Sequence, residues 1–329
     1  MNMLRPRAKL LSAIVLLSII LCACMSKHDG GNAYMVRPYI KDGFYTDGTL
    51  YYDVDKTEAF VIGTVKEESS IVIPDVVGIN EVDYPLTKIQ NLGVFDAYVY
   101  KSTKTPGNNK NLTSLTIGGN VKTFDEGVLF DIGYYMDTGE KYQIPRFPKL
   151  EKISVVMGNQ TFDSRNNCNA LILSKTNELI LGCKNTVIPE GVEKISNSAF
   201  RKCEGLKTLS FPTTLEMIEP YAFSGSHLQT IDLPASVYYI GQSAFNRCDS
   251  LLTVTLRCDA VSIEPEAFVN CKSLREPSSQ VSVYTTDVSI LSPEAVFSQG
   301  YNKLVVPKGA ASYFDSWKSC FQTIEERDK

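Results

Sequence analysis

The sequence predicts a β-rich solenoid: short parallel strands stacked coil on coil in a right-handed winding, with a β-rich cap at the N-terminal end and a short helical cap at the C-terminal end. Three observations point there. The dipeptide Ala-Phe recurs at Ala199-Phe200, Ala222-Phe223, Ala244-Phe245 and Ala267-Phe268, at steps of 23, 22 and 23 residues. Within each step a short apolar alternation such as Ile231 and Leu233 stops at a proline, here Pro234, which removes a ladder donor. A second pair of apolar residues, Val237 and Ile240, then carries the chain along another side. One such unit cannot fold alone. Burying about seven apolar side chains returns roughly 10–20 kcal/mol, against about 35 kcal/mol to order 23 residues. Neighbouring units must share the burial, so they stack.

The elements follow in chain order. Residues 1–23 read as a secretory signal: Arg5, Arg7 and Lys9 precede the apolar run Leu10 to Leu21, which is short for a permanent membrane span. The run ends in Leu21-Cys22-Ala23-Cys24, which resembles a bacterial lipobox, so Cys24 is the expected lipidation site. The alternative is an ordinary signal cut near Ala23 that leaves a soluble protein. Several acyl chains, at about 0.8 kcal/mol per buried CH₂, make a durable anchor. Residues 24–34 form a polar tether containing His28, and 35–80 the β-rich cap. The solenoid is expected over 81–303, opening with irregular coils at Val94-Phe95 and Leu129-Phe130. Insertions at 98–111 and 133–149 interrupt it. Residues 275–303 lose the Ala-Phe marker, and 304–329 form the C-terminal cap. There Tyr313, Trp317 and Phe321, four apart, are expected on one helix face, with Trp317 closing the core.

The repeat, written Leu-x-x-Ile-x-Leu-Pro-x-x-Val-x-x-Ile-x-x-x-Ala-Phe-x-x-Cys, resembles the BspA-like leucine-rich repeat family of bacterial surface lipoproteins. The segments Phe162 to Ala170 and Asn177 to Thr186 resemble a block common in that family, and the likeness extends over most of residues 42 to 324. The resemblance implies a leucine-rich repeat solenoid and a role in adhesion to host proteins and to other bacteria.

Nine cysteines become seven once Cys22 and Cys24 are set aside, an odd number that argues against a complete disulfide framework. Cys203, Cys248 and Cys271 share one repeat slot with Ser226, which reads as a ladder of small buried side chains. Cys168 and Cys183 differ. If Leu173 and Glu178 flank a four-residue turn, the two face each other across a hairpin, and the export route permits a disulfide.

Chemistry is scarce. His28 and His227 are the only histidines, and neither sits within a metal-binding or catalytic motif. Carboxylates such as Asp163, Glu219 and Glu264 occur singly, so no enzyme activity, cofactor or metal is expected. The net charge is −4, and loss of Arg5, Arg7 and Lys9 with the signal leaves −7, which disfavours nucleic acid. Insertions in a solenoid map to loops that often gather on a binding face. Tyr98, Tyr100, Tyr134, Tyr135, Tyr142 and Arg146, in those insertions, are the candidate binding residues. The expected function is a non-enzymatic lipoprotein, anchored in the outer membrane at the cell surface, that binds a protein or glycan partner. The alternative is a structural or assembly component of the envelope.

Overall fold

The computed structural model describes residues 26–27, 34–41, 43–94, 109–125, 127–134, 141–290 and 292–328. These residues are β-rich, with five sheets and few helical turns. At the N-terminal end lie β1 (Ser26–Lys27), β2 (Tyr34–Val36), β3 (Tyr39–Lys41), β4 (Phe44–Thr46), β5 (Leu50–Val54), β6 (Ala59–Thr64), β7 (Ser70–Val72), β8 (Val76–Ile79) and β9 (Val82–Ile89). All but β7 join one sheet in the order β1-β2-β8-β9-β6-β5-β4-β3, so this sheet runs past residue 80. Parallel pairing begins early. β7 pairs with β10 (Ser114–Ile117), and β10 with β14 (Lys152–Val155), placing Ile71, Leu115 and Ile153 in one buried row.

The described part of the second insertion is a β-hairpin, β12 (Phe130–Tyr134) against β13 (Lys141–Pro145). Leu129 is buried, and Phe130, the first residue of β12, packs half-buried against the N-terminal core. A further hairpin joins β16 (Ala170–Leu173) to β17 (Glu178–Gly182), with Leu173 opposite Glu178.

From β17 onward each repeat lays a strand beside the one before. One ladder holds β18 (Lys194–Ile195), β19 (Met217–Ile218), β21 (Tyr239–Ile240), β23 (Val261–Ile263) and β25 (Val288–Ile290), all parallel. Its register aligns Ile195, Ile218, Ile240, Ile263 and Ile290. The other ladder holds β20 (Thr230–Leu233), β22 (Thr253–Leu256), β24 (Gln280–Val283), β26 (Tyr301–Pro307) and β27 (Phe321–Arg327), also parallel. The two apolar spacings of the repeat thus build two separate ladders.

The Ala-Phe segment forms a third side, held by backbone hydrogen bonds outside any strand. Phe200 N–H donates to Ala222 O (2.7 Å), Phe223 to Ala244 O (2.8 Å) and Phe245 to Ala267 O (2.8 Å). Left-handed residues bracket each pair: Ser198, Tyr221, Ser243 and Glu266 before it, and Lys202, Gly225, Arg247 and Asn270 after it. Only one of these eight is glycine. A left-handed non-glycine costs about 1–2 kcal/mol, and the repeated inter-repeat hydrogen bonds hold it in place.

The four marker phenylalanines stack in single file. Phe200 to Phe223, Phe223 to Phe245 and Phe245 to Phe268 are 5.0, 5.1 and 5.1 Å apart between centroids, with interplanar angles of 9° or less. Phe297 extends the file at 5.5 Å, and Trp317 covers its end at 5.1 Å from Phe297. Trp317 is buried, as expected of a residue that closes the core.

The C-terminal segment departs from the expected helix face. Residues Ala311–Ser319 form a 3-10 helix, broken at Phe314, and the chain continues into β27. Three residues per turn bring i and i+3 together, so Phe314 and Trp317 pack inward while Tyr313 is 72% exposed and Phe321 belongs to the strand.

Two apolar cores meet at the β16–β17 hairpin. Leu171, Leu181 and Cys183 belong to the N-terminal core. Cys168, Ala170, Ile172 and Leu179 belong to the core of the stacked repeats.

Candidate functional site

The interior of the repeats holds nucleophiles but no reactive one. Cys248 Sγ donates to Phe223 O at 3.2 Å, and Cys271 Sγ to Phe245 O at 3.2 Å. Each thiol is thus a second donor to the carbonyl of a marker phenylalanine one repeat back, beside the backbone N–H of Ser226 or Cys248. Ser226 occupies the same slot and lies 3.5 Å from Cys248 Sγ. The slot takes a small side chain, cysteine in three repeats and serine in one. Burial pushes the Cys203 and Cys248 thiols up to about 12 and Cys258 to about 11, while Cys271 is raised well above its usual value. These thiols stay protonated and are poor nucleophiles. Among the described residues the cysteines are all free.

Cys168 and Cys183, between which the sequence permits a disulfide, are both free thiols here, and a β-bulge sets them apart. Leu173 and Glu178 pair as anticipated, and so do Ile172 and Leu179, but the next pair is Leu171 with Leu181. Ile180 is the extra residue. A one-residue slip moves following side chains to the other face, so Cys168 enters one core and Cys183 the other. Cys183 Sγ donates instead to Asn169 O at 3.3 Å, and Cys168 Sγ lies 3.8 Å from Ala170 O.

The carboxylates singled out by the sequence serve local structure. Asp163 receives two bonds from the Arg165 guanidinium (2.9 and 2.7 Å). Burial alone would raise its carboxyl, but Arg165 holds it below the usual range. Glu219 pairs with Lys194 at 3.1 Å, and Lys194 also reaches Glu178 at 3.2 Å. Among the described residues no group of three or more His, Cys, Asp or Glu is placed to hold a metal ion. No described helix is long and apolar enough to cross a membrane.

Two surface features concentrate polar chemistry. On the second ladder, Arg257 stands where the preceding repeat has Pro234, and it forks onto Asp232 at 2.7 and 3.0 Å. Its guanidinium lies 5.2 Å from the Tyr284 ring, and that of Arg327 5.3 Å from the same ring. Arg327 also donates to the Tyr284 hydroxyl at 2.6 Å. This clasp links the ends of β20, β22, β24 and β27.

The second feature is a cleft of about 230 Å³ between the base of the insertions and the first regular repeat. Lys110 and Arg146 line it from the insertion side, and Arg201, Lys202 and Glu204 from the repeat side. Phe147, Leu150 and Phe200 supply apolar wall. Arg146 is positioned by a bond from Nη1 to Gly127 O at 3.0 Å, and Arg201 by stacking 4.8 Å over the Tyr221 ring. Gly182 closes one wall against Phe200, so closely that a Cβ there would lie 2.0 Å from ring carbon Cε1.

Of the candidate binding residues, Arg146 lines this cleft. Tyr134 and Tyr142 lie on the β12–β13 hairpin, opposite Lys141 and Gly133 respectively. Tyr98, Tyr100 and Tyr135, like Cys24 and His28, lie outside the described residues. Sequence reasoning missed Lys110, Arg201 and Lys202, because Lys110 lies far from the other two in the chain. The available signal was Arg201-Lys202 directly after a marker phenylalanine, where the other repeats carry no such pair.

Successive repeats that each add strands to two parallel ladders fit the stacked arrangement of leucine-rich repeats. Residues 174–292 match the family model for a BspA type leucine rich repeat region, in six copies. Among solved structures, the chain is similar to the pneumococcal vaccine antigen PcpA, with 15% identity over 87% of this chain and 99% of that chain and a TM-score of 0.44. It is also similar to a leucine rich cell surface protein from Faecalibacterium prausnitzii, with 17% identity over 88% and 96% and a TM-score of 0.39. A leucine-rich repeat protein from Eubacterium ventriosum is similar at 13% identity over 74% and 84%, with a TM-score of 0.39. No curated protein matches the sequence significantly.

Proposed function

We propose that this chain is a non-enzymatic surface lipoprotein whose repeats stack into a right-handed solenoid that recognises a protein or glycan partner. The observation that carries the reading is the division of labour within the repeat. Its recurrent side chains, the phenylalanine file and the thiol slot, are consumed by packing. Variable polar groups are left on the outside, and they gather at the cleft beside the insertions. A rigid interior with a variable exterior suits recognition by many weak contacts. The BspA type repeat region supports the same reading. The basic and apolar leader with Cys24 supports export and attachment through acyl chains to the outer membrane.

Intact cells expressing the protein test this directly. Capture of host matrix protein, glycan or neighbouring cells above a strain lacking the gene is expected, together with cleavage by externally added protease. A chain that is protected from protease and co-purifies with envelope complexes would identify a structural component of the envelope instead.

A further inference from the structure

The cleft differs in chemistry from the rest of the molecule. Four cations line it, Lys110, Arg146, Arg201 and Lys202, against the single carboxylate of Glu204. The chain as a whole carries −4, so positive charge is concentrated here against the overall balance. Low-dielectric walls around clustered charge focus the field and raise the local concentration of counter-charged ligand. Those walls are Phe147, Leu150 and Phe200.

Two features narrow the ligand. Every polar side chain lining the cleft, the cysteines aside, is fully charged; none is an amide or a hydroxyl. A sugar brings many neutral hydroxyls, each costing free energy if desolvated without a partner. The volume, about 230 Å³, is above the roughly 150 Å³ that accommodates a benzene ring and below the roughly 300–1,000 Å³ of pockets that enclose a drug-sized molecule. One side chain fits within it.

We propose that this cleft anchors an acidic segment of a protein partner. One aromatic or aliphatic side chain enters against Phe147 and Leu150, and flanking carboxylates pair with Lys110, Arg146 and Lys202. Arg201, buried and stacked on Tyr221, is fixed in place as part of the positive wall. This assignment rests on the recognition reading above and gives it a chemical class of partner.

Fluorescence anisotropy with the full mature protein and a labelled peptide of sequence Glu-Asp-Phe-Asp-Glu tests it. Saturable binding that weakens as salt rises is expected. The double variant Lys110→Glu/Lys202→Glu is expected to weaken it about tenfold. Both lysines are exposed, and unchanged thermal unfolding shows that the variant folds. The same peptide with alanine in place of phenylalanine is expected to bind about tenfold more weakly, having lost one buried ring. Absence of saturable peptide binding, or binding untouched by the double variant, overturns the proposal. So does tighter binding of an oligogalacturonate, which would make the site a glycan site. Binding of 3-phenylpropionate as tight as the peptide overturns the protein source in favour of a free small acid. Peptide binding at the cleft in a protein that captures nothing on intact cells sinks the surface-recognition reading and leaves the cleft chemistry standing.

Discussion

The rings of Phe223 and Phe245 lie 5.1 Å apart at an interplanar angle of 0°. Each is fully buried and touches a ring on both sides, so neither can be shortened without opening a hole that two neighbours share. Phe245→Ala is expected to cost about 3–5 kcal/mol in urea unfolding. Tyr313→Ala, on an exposed ring, should stay within about 0.5 kcal/mol.

Gly182 supports the first ring of the same file. Because a Cβ there would overlap Phe200 at 2.0 Å, Gly182→Ala should lose about 1–3 kcal/mol through overpacking. The melting temperature reads this out.

The thiol slot predicts a chemical preference. Cys248→Ser keeps the donor to Phe223 O and copies Ser226, so it should be nearly neutral. Cys248→Val removes the thiol donor but leaves Phe223 O its bond from Ser226 N–H at 2.9 Å, and should cost about 0.5–1.5 kcal/mol.

Buried thiols also set an alkaline limit. The ordinary value is 9.0, and burial pushes Cys203 and Cys248 up to about 12 and Cys258 to about 11. The folded chain holds protons that the unfolded chain releases above pH 9. Stability is therefore whole below pH 9 and falls as pH rises from 9 towards 12. Urea midpoints at pH 8 and pH 10.5 should differ in that sense, and Cys248→Ser should reduce the difference.

Cys168 and Cys183 should remain thiols in the exported protein. Alkylation after unfolding without reductant, followed by mass spectrometry, should modify both. A mass two units low across the peptide pair would contradict the bulge at Ile180.

Metabolic labelling with palmitate should mark the protein, and Cys24→Ser should abolish the label and release the chain from membranes. Persistence of the label in that variant would place acylation elsewhere.

Much of the repeat was readable from side-chain type alone. Ile231 and Leu233, spaced by two, form β20, and Val237 and Ile240 lead into β21. The Ala-Phe pairs form the file because every unit offers the same residue at the same depth. Backbone irregularity hid the rest. Ile180 looks like any strand residue, yet as the bulge it separates Cys168 from Cys183. Phe297 escaped notice because its step from Phe268 is 29 residues and valine replaces alanine before it, but it stacks at 5.5 Å all the same. Tyr313 was misplaced because a period of four was assumed where the chain winds with three. The cleft was least legible. Lys110, Arg146 and Arg201 converge only through the stacking of insertion base on repeat, and no local pattern encodes that distance.

Each aromatic ring in the file stacks on the ring before and the ring after it, so the molecule's length is a modular quantity. Excising the 22 residues from Phe223 to Ala244 would join Ala222 to Phe245 and hand that ring its predecessor's seat against Phe200. Loss or gain of a whole unit would thus shorten or extend the outer surface in fixed steps, reshaping what it touches while the dry interior is inherited intact.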